Sequence, residues 1–343
     1  MGTRFVTTTE CDVSEKFNVS CLRHANQEVY EMKKIVMVVM TMLLVVSGTQ
    51  MLFSQGQQQS TDEVTVRLSI PDPINSSVGN MATYFAQRVE EESNGTVSIQ
   101  IYADGILFGG DQNAAINMLQ DGGLDALILS TSVYASFEPK MNAVSLPYLF
   151  SNYDEFIGYL EGAPGQQLLA SLDRLNIKGL SLALRTYRSI TNSRRPIEEP
   201  ADLRGLKIRV PNNRLWVDFF GGLGADPTPM NFAEVYTALQ LRTIDAQENP
   251  VEVPMANKFY EVQDYLSLTN HIADSFALAF NKDFWLKLDR ETQEMLERVA
   301  LEAASYKNEQ DIAQEEEIIE QLQELGMNVN RLSPAQVEMF QEE

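Results

Sequence analysis

The 343-residue sequence is poor in cysteine, in histidine and in positive charge. Its cysteines, Cys11 and Cys21, both precede residue 32, so the rest of the chain can form no disulfide, thiol nucleophile or cysteine-ligated metal site. Its histidines are His24 and His271, which leaves little for an imidazole metal centre or a Ser–His dyad. Neither a metal nor a cofactor is expected. Lys and Arg total 26 against 48 Asp and Glu, for a net charge of −22. Sequence-independent nucleic-acid binding needs a basic face that displaces counterions, and this balance argues against one. It leaves room for a local basic pocket holding a small anion. Also lacking are GxxxxGK[ST], GxGxxG after the first strand, GxSxG and HExxH, so the nucleotide-binding, hydrolase and zinc-protease motifs are all unsupported. Carboxylates are plentiful, and an acid/base pair stays open, but no spacing marks one.

Long apolar runs are scarce too. Residues 35–46 (IVMVVMTMLLVV) follow Met32-Lys33-Lys34 and precede Ser47-Gly48-Thr49. A basic start, a short apolar core and small residues read as a secretory signal peptide over 32–54, cleaved between Ser47 and about Ser54. A membrane-spanning helix needs about 20 apolar residues. A retained anchor, the alternative, reaches that length only by crossing Ser-Gly-Thr-Gln. No Cys follows the run, so no lipid-anchored form is expected. Residues 1–31 are then a start-site miscall or an extension. Residues 1–54 carry five Lys/Arg and five Asp/Glu, so the exported part keeps the whole −22.

What is present is an ordinary folding composition, 44% hydrophobic and 22% charged, long enough for about two domains. Residues 63–70 (EVTVRLSI) alternate as a strand and stop at Pro71-Asp72-Pro73. Helical spacing runs over 77–92. A strand at 96–102, a helix from an Asp111 N-cap to Gln120 and a buried strand at 124–129 follow, the order of a parallel or mixed α/β sheet. A second unit holds strands at 176–184 and 207–210 joined by the turn-rich 192–205. Helices are expected at 216–223 and 232–241, separated by a turn at 227–229. Strands at 265–269 and 275–280 return to the first unit, and the longest helical pattern covers 291–325. Such repeated crossings predict an α/β two-lobed periplasmic-binding-protein (Venus flytrap) clamshell with hinge crossings and a long C-terminal helix. Lobe I would comprise 60–186 plus 273–312, and lobe II 187–272 plus 313–343. Ligands of open α/β sheets sit beyond the carboxyl ends of strands, here between the lobes. An enzyme could use the same architecture.

Seven arginines between Arg185 and Arg214 stand out against the acidic background. Arg209, in Lys207-Ile208-Arg209-Val210-Pro211, ends a strand where its planar fork could hold a carboxylate. The alternative is a surface arginine paired with one of the many acids. Gln247, Glu248 and Asn249 precede Pro250 at the end of a short strand and suit a polar cleft, although Asn249 before Pro250 also fits a helix N-cap.

Several segments then occur in order: TNSRRPI (191–197), ADLRGLKIRVP (201–211), LGADPTPM (223–230), FAEVYTALQ (232–240) and QENP (247–250). With LPYLF (146–150) and residues 122–125, they resemble the DctP-type solute-binding proteins of TRAP (tripartite ATP-independent periplasmic) transporters. The likeness extends from about Val64 past Gly326. It implies a monomeric periplasmic protein, not an enzyme, that captures a small organic acid, either a C4-dicarboxylate or a sugar acid, and delivers it to the small and large membrane permease subunits. It implies that Arg209 pairs with the ligand carboxylate, that Asn249 with neighbouring Gln247 and Arg188 reach other ligand oxygens, and that Phe232 forms an aromatic wall. An ABC-type binding protein, a ligand sensor and an enzyme are the rival readings. Two positions depart from the family, which commonly has Gly where this chain has Arg242 and Ala246. Arg242 is therefore expected either to tolerate a left-handed backbone or to mark a rebuilt turn. The chain stops soon after Ser333-Pro334, so a short or missing closing helix is expected.

Overall fold

The alternation at 63–70 forms β1 (Val64–Ser69), whose Val66 and Leu68 are fully buried. The computed structural model describes residues 63–343, so the expectations for 1–31 and 32–54 lie outside the described residues. Ser76 caps α1 (Ser77–Glu92) by accepting from the Gly79 amide, and Val78, Met81, Ala82, Phe85 and Val89 turn inward. β2 (Val97–Tyr102) lies parallel to β1. Asp111 caps α2 (Gln112–Gln120), accepting from the amides of Asn113 at 2.9 Å and Ala114 at 3.2 Å. β3 (Ala126–Ser130) is buried at every position and lies parallel to β1. Helices α3 (Tyr153–Glu161) and α4 (Ala163–Ser171) lead into β4 (Ile177–Asn192).

The second half holds β5 (Lys207–Val210), α5 (Arg214–Gly222), β6 (Asp226–Pro229), α6 (Val235–Gln240) and β7 (Ala246–Asn249). β8 (Tyr265–Asn281), α7 (Arg290–Glu324), β9 (Asn328–Arg331) and α8 (Pro334–Glu342) complete the chain. The strand order is β2-β1-β3-β8-β4-β7-β5-β6, with β9 also on β8. Pairing is mixed: β3–β8, β8–β4 and β4–β7 are antiparallel, and the others are parallel. β4 and β8 therefore serve both lobes. They pair with each other from Ile177 to Asn192; the Phe276–Phe280 part of β8 pairs with β3 and its Tyr265–Leu268 part with β9, while the Ser189–Asn192 part of β4 pairs with β7. Val66, Phe85, Ile128 and Phe280 centre one core; Ile208, Val210, Trp216 and Phe220 centre another. At 1.5 Å per residue, the 35 residues of α7 reach about 50 Å. Its Val299 and Ala303 enter the first core, while Ile319 and Leu322 pack on Leu266 and Leu268.

Four expectations change. The strand predicted to end at Leu184 continues to Asn192, and the pair predicted at 265–269 and 275–280 is one strand of 17 residues. Apolar alternation fails in both because Arg185, Arg188, Asn192, His271 and Asp274 are buried polar residues: both arginines donate to Asp274, His271 bonds Glu248, and Asn192 accepts from the amides of Arg194 and Arg195. The turn expected at 227–229 lies within β6. Its prolines are tolerated because β6 is an edge strand, where missing amide donors discourage further pairing. The helix expected at 232–241 starts as a 3-10 turn, Phe232–Glu234. At the C-terminus Ser333 and Gln336 form a reciprocal capping box for α8.

Candidate ligand-binding site

Residues three apart on a regular strand face opposite sides of the sheet. In β4 the pairing with β8 shifts register between Arg185 and Arg188 and again before Ile190. The irregularity lets both arginines face one cavity, together with Arg209 from β5, Asn249 from β7, Phe232 and Asp72. The space left between these side chains is narrow, about 30 Å³.

Arg188 is 2% exposed and held on every side. Its Nε donates to Glu248 Oε2 at 2.5 Å, and Nη2 donates to Glu248 Oε1 at 2.7 Å and to the Asn249 side-chain oxygen at 3.0 Å. Arg185 donates from Nη1 to Asp274 at 3.0 Å, and its guanidinium lies 4.5 Å from the Phe276 ring centre. Asp274 is fully buried and also accepts from Ser130 at 2.7 Å and Thr131 at 3.1 Å. Burial works to raise the pKa of Glu248, but Arg188 and the His271 hydrogen bond outweigh it and hold the group at about 2. Burial lowers the His271 pKa against the pull of Glu248, so the imidazole is neutral at pH 7.

Arg209 differs. It is 3% exposed, yet its Nε and Nη2 reach only the Met230 carbonyl, at 3.0 and 2.7 Å, and it makes no ion pair among the described residues. Burial, with the charges of Arg188 and Arg185, pulls its pKa down to about 9 against Glu248. The exposed-ion-pair alternative for Arg209 is therefore wrong. A buried cation with a free guanidinium edge gains from an anion that completes its hydrogen bonds. The Phe232 ring centre lies 5.8 Å from that guanidinium.

Asn249 also resolves. The next helix, Glu252–Ala256, has Val251 as its N-cap, so Asn249 is a β7 residue and not the helix cap. Its side-chain oxygen accepts from Arg185 and Arg188, and its Nδ2 donates to Gln247 Oε1 at 2.7 Å, leaving one N–H toward the cavity. Gln247 is fully buried behind it, bonded to Thr191 at 2.8 Å, and lies outside the cavity lining. The structure thus brings Arg188, Arg209, Phe232 and Asn249 together and sets Gln247 one layer back. Sequence reasoning missed Arg185 and Asp72. The Arg-x-x-Arg spacing could have signalled a strand irregularity, whereas Asp72 between two prolines reads only as a turn.

The cavity is covered by contacts between chain segments far apart in sequence. Asn213 Nδ2 donates to the Ser132 carbonyl at 2.7 Å and to Asn142 at 2.8 Å, and Ser136 donates to the Asn212 carbonyl at 2.5 Å. Gly110, at φ +78°, passes so close to Ala233 that an added Cβ would stand 2.8 Å from its methyl carbon. A larger cavity of about 400 Å³ lies beside α7, but its buried cation, Lys307, is already paired with Asp311. Arg242 adopts φ +55°, the left-handed conformation, and Ala246 is buried in β7 opposite Asn192.

A two-lobed α/β protein with a covered, anion-seeking cavity beside its crossing strands belongs to the clamshell class of solute-binding proteins. Residues 70–343 match DctP, the bacterial extracellular solute-binding protein family 7, and the chain belongs to that family. The family serves solute binding in TRAP transport rather than catalysis. The 2,3-diketo-L-gulonate-binding periplasmic protein YiaO of Escherichia coli is 36% identical over 248 residues, 72% of this chain and 75% of that protein. A TRAP periplasmic solute-binding protein from Polaromonas, solved with D-erythronate, superposes with a TM-score of 0.78 at 32% identity, covering 82% of this chain and 91% of the other. The sugar-acid-binding protein DctPAm of Advenella mimigardefordensis, solved with galactonate, gives 0.78 at 31% identity, covering 81% and 89%. Among the described residues no helix is long and apolar enough to cross a membrane.

Proposed function

We propose that this protein captures a small organic acid outside the cytoplasm and hands it, as a cofactor-free monomer, to the small and large membrane subunits of a TRAP transporter. Residues 32–54 act as the export signal, and the bound acid leaves chemically unchanged. Arg209 receives the carboxylate, Asn249 and Arg188 fix other oxygens, Phe232 walls the cavity, and Gln247 orients Asn249. The lobes divide at 186/187 and 272/273, a reading supported by the register shift between Arg185 and Arg188. Ligand binding favours the closed arrangement because only closure completes contacts from both lobes.

The observation that carries this reading is Arg209, a buried guanidinium with no carboxylate partner among the described residues. The acids bound by the relatives support the ligand class. Loss of one partner of a desolvated ion pair costs about 3–5 kcal/mol. Arg209→Ala should therefore abolish high-affinity acid binding in calorimetry with the circular-dichroism spectrum unchanged, and Arg209→Lys should restore it poorly. Wild-type affinity in Arg209→Ala would remove the assignment, and a chemically altered acid recovered by mass spectrometry would point to an enzyme.

A further inference from the structure

The charges around the cavity can be counted. Three arginines line it, Arg185, Arg188 and Arg209. Asp274 is paired to Arg185 and Arg188, and Glu248 to Arg188. Only Arg209 is left without a paired carboxylate among the described residues, so its free edge can take one anionic group; with Asp72 ionised the three arginines face three carboxylates, and the cavity has no charge to spare for a second. The same cavity also holds a carboxylate. Asp72 is 9% exposed, and its side chain accepts no hydrogen bond from any described residue. An ionised carboxylate is acceptor-only, so it satisfies a ligand hydroxyl and repels a second ligand carboxylate. Gln112, at the start of α2, and Ser132 also line the cavity and can exchange hydrogen bonds with hydroxyls.

We propose that the ligand is a polyhydroxylated monocarboxylate, with its single carboxylate on Arg209 and a hydroxyl on Asp72, and that Asp72 excludes dicarboxylates. This rests on the reading of Arg209 above and narrows the acid it takes. Burial pushes the pKa of Asp72 up to about 6; Arg185 and Lys307 oppose that rise and Asp104 adds to it, so the group is mainly ionised at pH 7.

Calorimetry at pH 7.5 with aldonates, unsubstituted dicarboxylates and α-amino acids of matched chain length tests this. Erythronate against succinate is the shortest pair. The tightest ligand should be an aldonate, at least tenfold tighter than the dicarboxylate of equal length. Asp72→Asn should weaken the aldonate and strengthen the dicarboxylate, shifting their ratio by at least tenfold. A dicarboxylate or an amino acid as the tightest ligand, no binding by any hydroxy acid, or an unchanged ratio in Asp72→Asn overturns the proposal. Arg209→Ala separates the two levels. If it leaves acid binding intact, the carboxylate assignment itself fails; if it abolishes binding while the Asp72→Asn ratio stays fixed, only the narrower inference fails.

Discussion

Arg242 shows how a residue with a long side chain can hold a left-handed turn. The helix α6 ends at Gln240, and the chain then needs a left-handed residue to turn toward β7; Arg242 supplies it at φ +55° while exposed to solvent. A side chain with a Cβ pays about 1–2 kcal/mol for that conformation, which glycine adopts freely. Glycine also widens the unfolded ensemble and returns part of the gain. Arg242→Gly should therefore raise unfolding stability by about 0.5–1 kcal/mol in urea titration and leave ligand affinity unchanged. A destabilised variant would mean that the Arg242 side chain makes a compensating contact. The same scale explains why Arg209 was legible. Its place before Val-Pro marked a strand end, and the only question open in the sequence, exposed or buried, turned on neighbours brought from β4 and β7.

At the scale of elements, apolar periodicity found the strands of the first core and β5, missed the short β9 whose Val329 packs on Leu266 and Leu268, and stopped where β4 and β8 turn polar. β1, β2, β3 and β5 lie close to their expected bounds because Val66, Leu68, Ile128 and Ile208 alternate or cluster as core residues. The middle of β4 and β8 carries Arg185, Arg188, His271 and Asp274 instead, and a buried ion network has no sequence period. The loop before α2 was equally silent, since nothing local says that Gly110 will meet Ala233. That contact exists only when the two segments are together, so it makes a specific test of closure. Gly110→Ala forces a Cβ to 2.8 Å from the Ala233 methyl. Overpacking of this kind costs roughly 1–3 kcal/mol, so ligand affinity should fall about tenfold or more in calorimetry. Adding Ala233→Gly removes the opposing methyl and should restore affinity, while the backbone strain at φ +78° stays as a loss of unfolding stability. Affinity unaffected by Gly110→Ala, or unrescued by Ala233→Gly, would mean that the bound state does not bring these segments together.

For the whole molecule the balance between buried carboxylates sets the response to pH. Glu248 is held at about 2, below its ordinary 4.5, so its contribution is complete above pH 4.5 and is lost as pH falls toward 2. Asp72 is pushed from 3.8 to about 6, and burial also raises Glu252 and Glu315. Those groups prefer to be protonated in the fold, so Asp72 costs nothing below pH 4, progressively more between 4 and about 6, and a constant amount above, while Glu252, raised to about 7, adds cost up to that pH. A shift of two units corresponds to about 3 kcal/mol. The net charge of −22 acts in the same direction, because lowering the pH toward 5 relieves self-repulsion. Unfolding stability of the ligand-free protein should therefore peak near pH 5, decline toward pH 7.5, and collapse below pH 4 as Glu248 takes up a proton and leaves Arg188 buried with half its pairing gone. Asp72→Asn isolates the site from the general charge effect: it removes a group that is costly only when ionised, so the decline between pH 5 and 7.5 should become shallower by roughly 1–3 kcal/mol. Urea midpoints measured every half unit from pH 3.5 to 8 check both statements. A wild-type curve that rises from pH 5 to 7.5, or an Asp72→Asn curve parallel to it, would mean that Asp72 is compensated in the ligand-free protein and that its charge is no obstacle to a second carboxylate.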